Sequence, residues 1–170
     1  MNNKSKYRVV IIIFILLLLG FLIIKLLTKN DNDSLNEVDY YNESLFISAN
    51  VFFRANSLPV KETLDEVLVI ETKIIEFHEI FLKLTEPKNT QDAADIMNRL
   101  FESCFEAIEL LKKYKNGEDN VSNLMYLEKL RESQEIYLEY AKYLDHKGIP
   151  IYDTTIKRIE VLTLELLDSE

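Results

Sequence analysis

From Val38 to Leu166 the apolar residues of this chain recur at spacings of three and four. That is the period of a helix with one buried face, sustained over many turns. Three glycines and three prolines in 170 residues leave little material for the turns of a β-rich fold. The predicted fold class is all-α.

Five stripes can be traced. The first helix opens at a capping box, Ser34 with Glu37 three residues on, and carries Val38, Tyr41, Leu45, Ala49 and Phe52 to an end near Asn56. The corner Ser57 to Pro59 follows, with Pro59 tolerated in the first turn of the next helix. The second stripe is Val60, Leu64, Val67, Ile74 and Phe81, widened by Leu68, Ile75 and Leu82 on one side and by Ile70, Phe77 and Leu84 on the other. Thr90 is placed to cap a third helix bearing Ala93, Leu100, Cys104, Ala107, Leu111 and Tyr114, which Asn116-Gly117 ends as a left-handed cap. The fourth runs from about Val121 to Leu144 through Leu124, Leu127, Leu130, Gln134, Tyr137 and Ala141, and is stopped by Gly148 and Pro150. Asp153 can cap a last helix with Ile156, Ile159, Leu162 and Leu166. Short corners make sequence neighbours antiparallel, so the expectation is an up-and-down bundle of four to five helices over residues 35–170.

Ahead of the bundle stands VVIIIFILLLLGFLIIKLL, Val9 to Leu27. As a helix it would span roughly 28 Å, close to the hydrocarbon thickness of a bilayer. Lys25 falls in the last turn, where its stem can reach the headgroups. Lys4, Lys6 and Arg8 precede the span and Lys29 follows it, so the positive-inside rule puts the N-terminus in the cytoplasm and the bundle outside. The apolar run is longer than a signal-peptide core, and KLLTKNDND offers no small-residue cleavage site. The predicted organisation is a basic tail (1–8), a single transmembrane signal-anchor (9–28), a polar linker (29–34) and the helical bundle (35–170).

Charge and residue types exclude several functions. Five of the 20 basic residues and none of the 29 acidic ones fall in residues 1–30, which leaves the rest of the chain at a net −14. Such a body repels phosphate backbones, so no nucleic-acid partner is expected. One cysteine and two histidines cannot make a Cys/His zinc site. HEIFL, from His78, begins like a zincin motif but has Leu82 where the second His belongs. Di-metal helical sites need Glu-x-x-His pairs, and Ile75 and Tyr143 stand at that offset from His78 and His146. Cys104 lies on an apolar stripe with no cation or His indicated beside it, the setting of an inert thiol. No nucleophile elbow, phosphate loop or dinucleotide fingerprint occurs. No catalytic residue, metal or cofactor is assigned, and the protein is expected not to be an enzyme.

Glu71 and His78 are conspicuous because they interrupt the apolar face of the second helix, at about 40° and 20° from Val67 on a helical wheel. Gln134 lies on the fourth stripe with Arg131 at its border. A Glu71–Arg131 pair, or a hydrogen bond between Gln134 and His78, would satisfy groups that are expensive to bury bare. The candidate is a buried polar layer of Glu71, His78, Arg131 and Gln134. The competing readings are a partner or cleft facing the second helix, and a metal or catalytic site.

A second apolar line on the first helix, Tyr40, Ile47 and Val51, together with Ile136 on the far side of the fourth, is the candidate partner surface. The same line also fits a first helix that is central and buried on both sides. Beyond residue 30, Asn-x-Ser triplets begin at Asn32, Asn42 and Asn120, as chance allows in a chain this rich in Asn and Ser. The layout is similar to that of small bacterial proteins with one N-terminal anchor and an outward helical bundle. The expected function is non-enzymatic: a membrane-anchored interaction or accessory subunit of a cell-envelope complex, docking on another envelope protein or on itself. The alternative is ligand sensing, or bacteriocin-immunity-type protection, through a cleft in the bundle.

Overall fold

The three-and-four spacing resolves into five α-helices and one short 3-10 turn. The computed structural model describes residues 35–84, 86, 87 and 89–168. In chain order these form α1 (Leu35–Ser57), the 3-10 turn Leu58–Val60, α2 (Leu64–Lys83), α3 (Gln91–Lys115), α4 (Asn123–Lys147) and α5 (Asp153–Asp168). No strand occurs among the described residues, and the molecule is a helical bundle. None of its described helices is long and apolar enough to cross a membrane. The tail, the Val9–Leu27 segment, the linker and the Ser34 cap lie outside the described residues.

The bundle is built around α1, which packs on each of the other four helices. Its apolar residues point in every direction: Tyr40, Tyr41, Leu45, Ile47, Ala49, Val51, Phe52 and Ala55 are all buried. A helix that is apolar all round belongs in the interior. Its polar residues are absorbed locally, with Ser48 Oγ donating to the Leu45 carbonyl and Asn50 Nδ2 to that of Phe46.

Contacts along the helices set their directions. Tyr40 meets Phe81 and Phe46 meets Phe77, so α2 runs against α1. Tyr143, Tyr137 and Gln134 meet Tyr41, Phe52 and Asn56 in turn, so α4 also runs against α1. A forked Arg99–Glu139 pair and the Ser103 hydroxyl on the Lys129 carbonyl join α3 to α4 as an antiparallel hairpin. The last helix lies parallel to α1: Tyr152 donates to Asp39, and Arg158 forks onto Glu43.

The helix ends follow local chemistry. Thr63 and Glu66 form a reciprocal capping box, so α2 begins at Leu64 rather than at Val60. Pro59 is accommodated in the 3-10 turn instead. Lys115 donates to the carbonyls of Lys61 and Glu62 and ties this corner to the end of α3. Gly117 and Gly148 sit at φ of 75° and 68°, where a Cβ would be strained, and close α3 and α4. Thr90 stands at the N-cap position of α3, but its hydroxyl bonds the Pro87 carbonyl rather than the helix.

Candidate functional site

The four residues of the expected polar layer do not meet, because α2 and α4 are not neighbours. Both pack on α1 and α3, which stand between them. Glu71 pairs instead with Lys112 of α3 at 3.1 Å. Lys112 also holds Glu109 at 2.7 Å, and that carboxylate, followed by Glu71, keeps its ammonium above the usual range. His78 is half-buried against two phenylalanine rings of α3, its centroid 4.6 Å from Phe101 and 5.6 Å from Phe105. Gln134 reaches back to α1 and donates to Asn56 Oδ1. Arg131 is exposed and pairs along its own helix with Glu135.

The expected partner surface is likewise internal. Tyr40, Ile47, Val51 and Ile136 are each at most 5 % exposed. The first three belong to the central helix, whose second apolar line faces its own bundle. Ile136 is buried because α4 is rotated by roughly 70° from the expected stripe, at about 100° per residue. Its buried face is Tyr126, Leu130, Ser133, Tyr137, Tyr140 and Leu144, while Leu124 is exposed.

A cluster of hydroxyls fills one end of the core, where Tyr40, Tyr41 and Ser44 of α1 face Tyr140 and Tyr143 of α4. The Tyr41 and Tyr143 hydroxyls lie 3.3 Å apart. Burial pushes the Tyr40 phenol up to about 12, and holds Tyr41, Tyr137 and Tyr140 well above their ordinary value. Among the described residues the Tyr137 hydroxyl is enclosed without a hydrogen-bond partner. Cys104 is also fully enclosed, and burial raises its thiol to about 12. A thiol at that value is neutral at physiological pH and a poor nucleophile. Among the described residues no three His, Cys, Asp or Glu side chains converge as a metal would require.

No protein-family model, curated protein or solved structure matches this chain. Function therefore has to be read from what the bundle presents at its surface.

What it presents most clearly is α2. Leu68, Ile75 and Leu82, expected as core, are 40 %, 43 % and 64 % exposed. They recur every seven residues and so line one flank of the helix. Val69 and Ile80 are exposed on the other flank. One helix thus shows five large apolar side chains to solvent while its buried face, Val67, Ile70, Ile74 and Phe81, rests on the bundle. Exposed apolar residues continue at the end of the molecule where α3 meets α4, with Tyr114, Leu124 and Met125. Single exposed apolar residues are ordinary, but a periodic row of them on one helix is the form a contact surface takes.

Proposed function

We propose that this chain is a membrane-anchored, extracytoplasmic helical-bundle protein that acts without catalysis, as an interaction or accessory subunit of a cell-envelope complex. The observation that carries the reading is the exposed seven-residue row on α2, Leu68, Ile75 and Leu82. Packing of such a row against a partner helix or groove recovers apolar area that the bundle itself leaves in water. The Val9–Leu27 segment and its basic flank supply the anchor and the orientation. The partner is another envelope protein or a second copy of the chain.

The test is cross-linking of the full-length protein in its native membrane, followed by affinity purification and mass spectrometry. A parallel sample carries Ile75→Glu and Leu82→Glu. Both side chains are already in solvent, so the double variant should keep the wild-type circular dichroism. A discrete cross-linked species present in wild type and lost in the variant supports the reading. The same species in both samples, or none in either, would remove α2 as the interface and with it the reason for the proposal.

A further inference from the structure

Two residues of α1 mark a seam between α2 and α5. Phe46 meets Phe77 of α2 edge to face, with centroids 6.4 Å apart, and carries Arg158 of α5 at 3.7 Å from its ring centre. Two turns further along, Arg54 lies 5.9 Å from the Phe77 ring and feels the charges of Glu76 on α2 and Glu165 on α5. Asn50 sits between them at the same spacing of four, buried, with its Nδ2 committed to the Phe46 carbonyl. The helices α2 and α5 flank this stripe without forming an interface with each other.

Arg54 is unlike the other described arginines. Arg99 is paired with Glu139, Arg131 with Glu135 and Arg158 with Glu43. Arg54 has no carboxylate within ion-pair distance among the described residues, and its Nε is enclosed without an acceptor. Half burial lowers its pKa, yet a guanidinium stays charged at any physiological pH. The nearer helix offers it little, because Glu76 is held by Lys73 at 2.7 Å. A half-buried guanidinium whose Nε is enclosed without an acceptor is an unfavourable arrangement that an anion would relieve.

We propose that the α2–α5 seam binds a monocarboxylate carried on a short apolar body, with Arg54 receiving the carboxylate and the Phe46 and Phe77 rings the apolar part. The charge class follows from the count of free cations: one unpaired guanidinium neutralises one negative charge, and its planar fork matches a carboxylate. A dianionic phosphate would be repelled by Glu76 and Glu165 about twice as strongly as a carboxylate. The apolar part follows from the ring-lined wall. The inference stands on the seam alone, independent of the anchor and of the α2 surface.

The test titrates the purified full-length protein with sodium hexanoate and follows the arginine Nε–Hε signals and phenylalanine ring signals by NMR. The Arg54 signal is the one lost in Arg54→Gln. Hexanoate should shift that signal and the Phe46 and Phe77 rings saturably, and neither 1-hexanol nor hexylammonium should do so. In Arg54→Gln the ring shifts should require about tenfold more hexanoate or greater, the cost of losing a charge-assisted hydrogen-bonded pair. Arg99→Gln, which breaks an exposed pair elsewhere, should bind as wild type does. Should Arg54→Gln fail to fold, Arg54→Lys keeps the charge without the planar fork and should bind more weakly than wild type. Equal shifts with hexanol, undiminished binding in the Arg54 variants, or no saturable shift would each overturn the proposal.

Discussion

Asn42 holds the start of the last helix in place with one short side chain. It is buried, its Nδ2 donates to the carbonyls of Val38 at 2.9 Å and Pro150 at 3.0 Å, and its Oδ1 accepts from the Tyr152 amide at 2.8 Å. Asn42→Ala should therefore cost about 3 kcal/mol, roughly 1 for each bond, read as a lowered urea midpoint at unchanged slope. The same burial means that its Asn-x-Ser triplet cannot serve as a glycan acceptor in the folded protein. Tyr137 is the opposite case, since its hydroxyl is enclosed without a partner. Tyr137→Phe removes only that group and should stabilise the fold by about 1 kcal/mol in the same assay. The buried phenols also fix a pH dependence. Tyr40, Tyr41, Tyr137 and Tyr140 hold their protons more tightly folded than unfolded, chiefly through burial. Stability is then whole below about pH 10 and falls as pH rises from there through the folded values. Cys104, raised from 9.0 to about 12, begins the same loss near pH 9. In an alkaline titration the phenolate absorbance of these four, among the nine tyrosines of the chain, should appear only as helical ellipticity is lost. Ionisation of all nine tyrosines with the helices intact would mean that these hydroxyls reach water.

At the scale of the helix, α5 gives the clearest contrast between two faces. Ile159 is buried against α1, whereas Leu164 points into solvent. Ile159→Ala should cost about 2–5 kcal/mol and Leu164→Ser no more than about 0.5 kcal/mol, as measured by thermal unfolding. If both substitutions cost the same, α5 is not seated on α1 as described. The existence, number and order of the helices are legible in the sequence, because apolar spacing and the glycines at 117 and 148 act within a few residues of one another. The phase of each stripe is harder to read. Leu68, Ile75 and Leu82 read as core because a seven-residue row looks the same whether it meets its own bundle or another molecule. The α1 line of Tyr40, Ile47 and Val51 is ambiguous for the same reason and resolves the other way. The polar layer fails for a different cause: pairing Glu71 with Arg131 assumes that α2 touches α4, and adjacency between helices is not written in the period of either. Thr63 and Glu66, by contrast, spell out a capping box in plain sequence, a stronger start signal than Pro59. Arg54 carries no signal at all in the sequence, since its lack of a partner depends on three helices at once.

At the scale of the whole molecule, the sense of the helices bears directly on orientation. The turn between α3 and α4 lies at the end of the bundle opposite Leu35, with Asp119 exposed on it. If the bundle stands outside the membrane, Asp119→Cys in intact cells should react with a membrane-impermeant maleimide. The native Cys104, fully enclosed, should remain unlabelled until the protein is denatured. Labelling at position 119 only after the cells are broken would place the bundle on the inner side. An odd number of alternating helices has one more effect. Leu35 and Asp168, the two ends of the described chain, lie at opposite ends of the body, and α1 and α5 run the same way side by side, joined from Asp39–Tyr152 through Glu43–Arg158. Tension applied between those ends would load that seam lengthwise. Its bonds would have to slide and fail together instead of opening singly like the teeth of a zipper, so the domain should transmit a pull along its axis far better than it resists being peeled open.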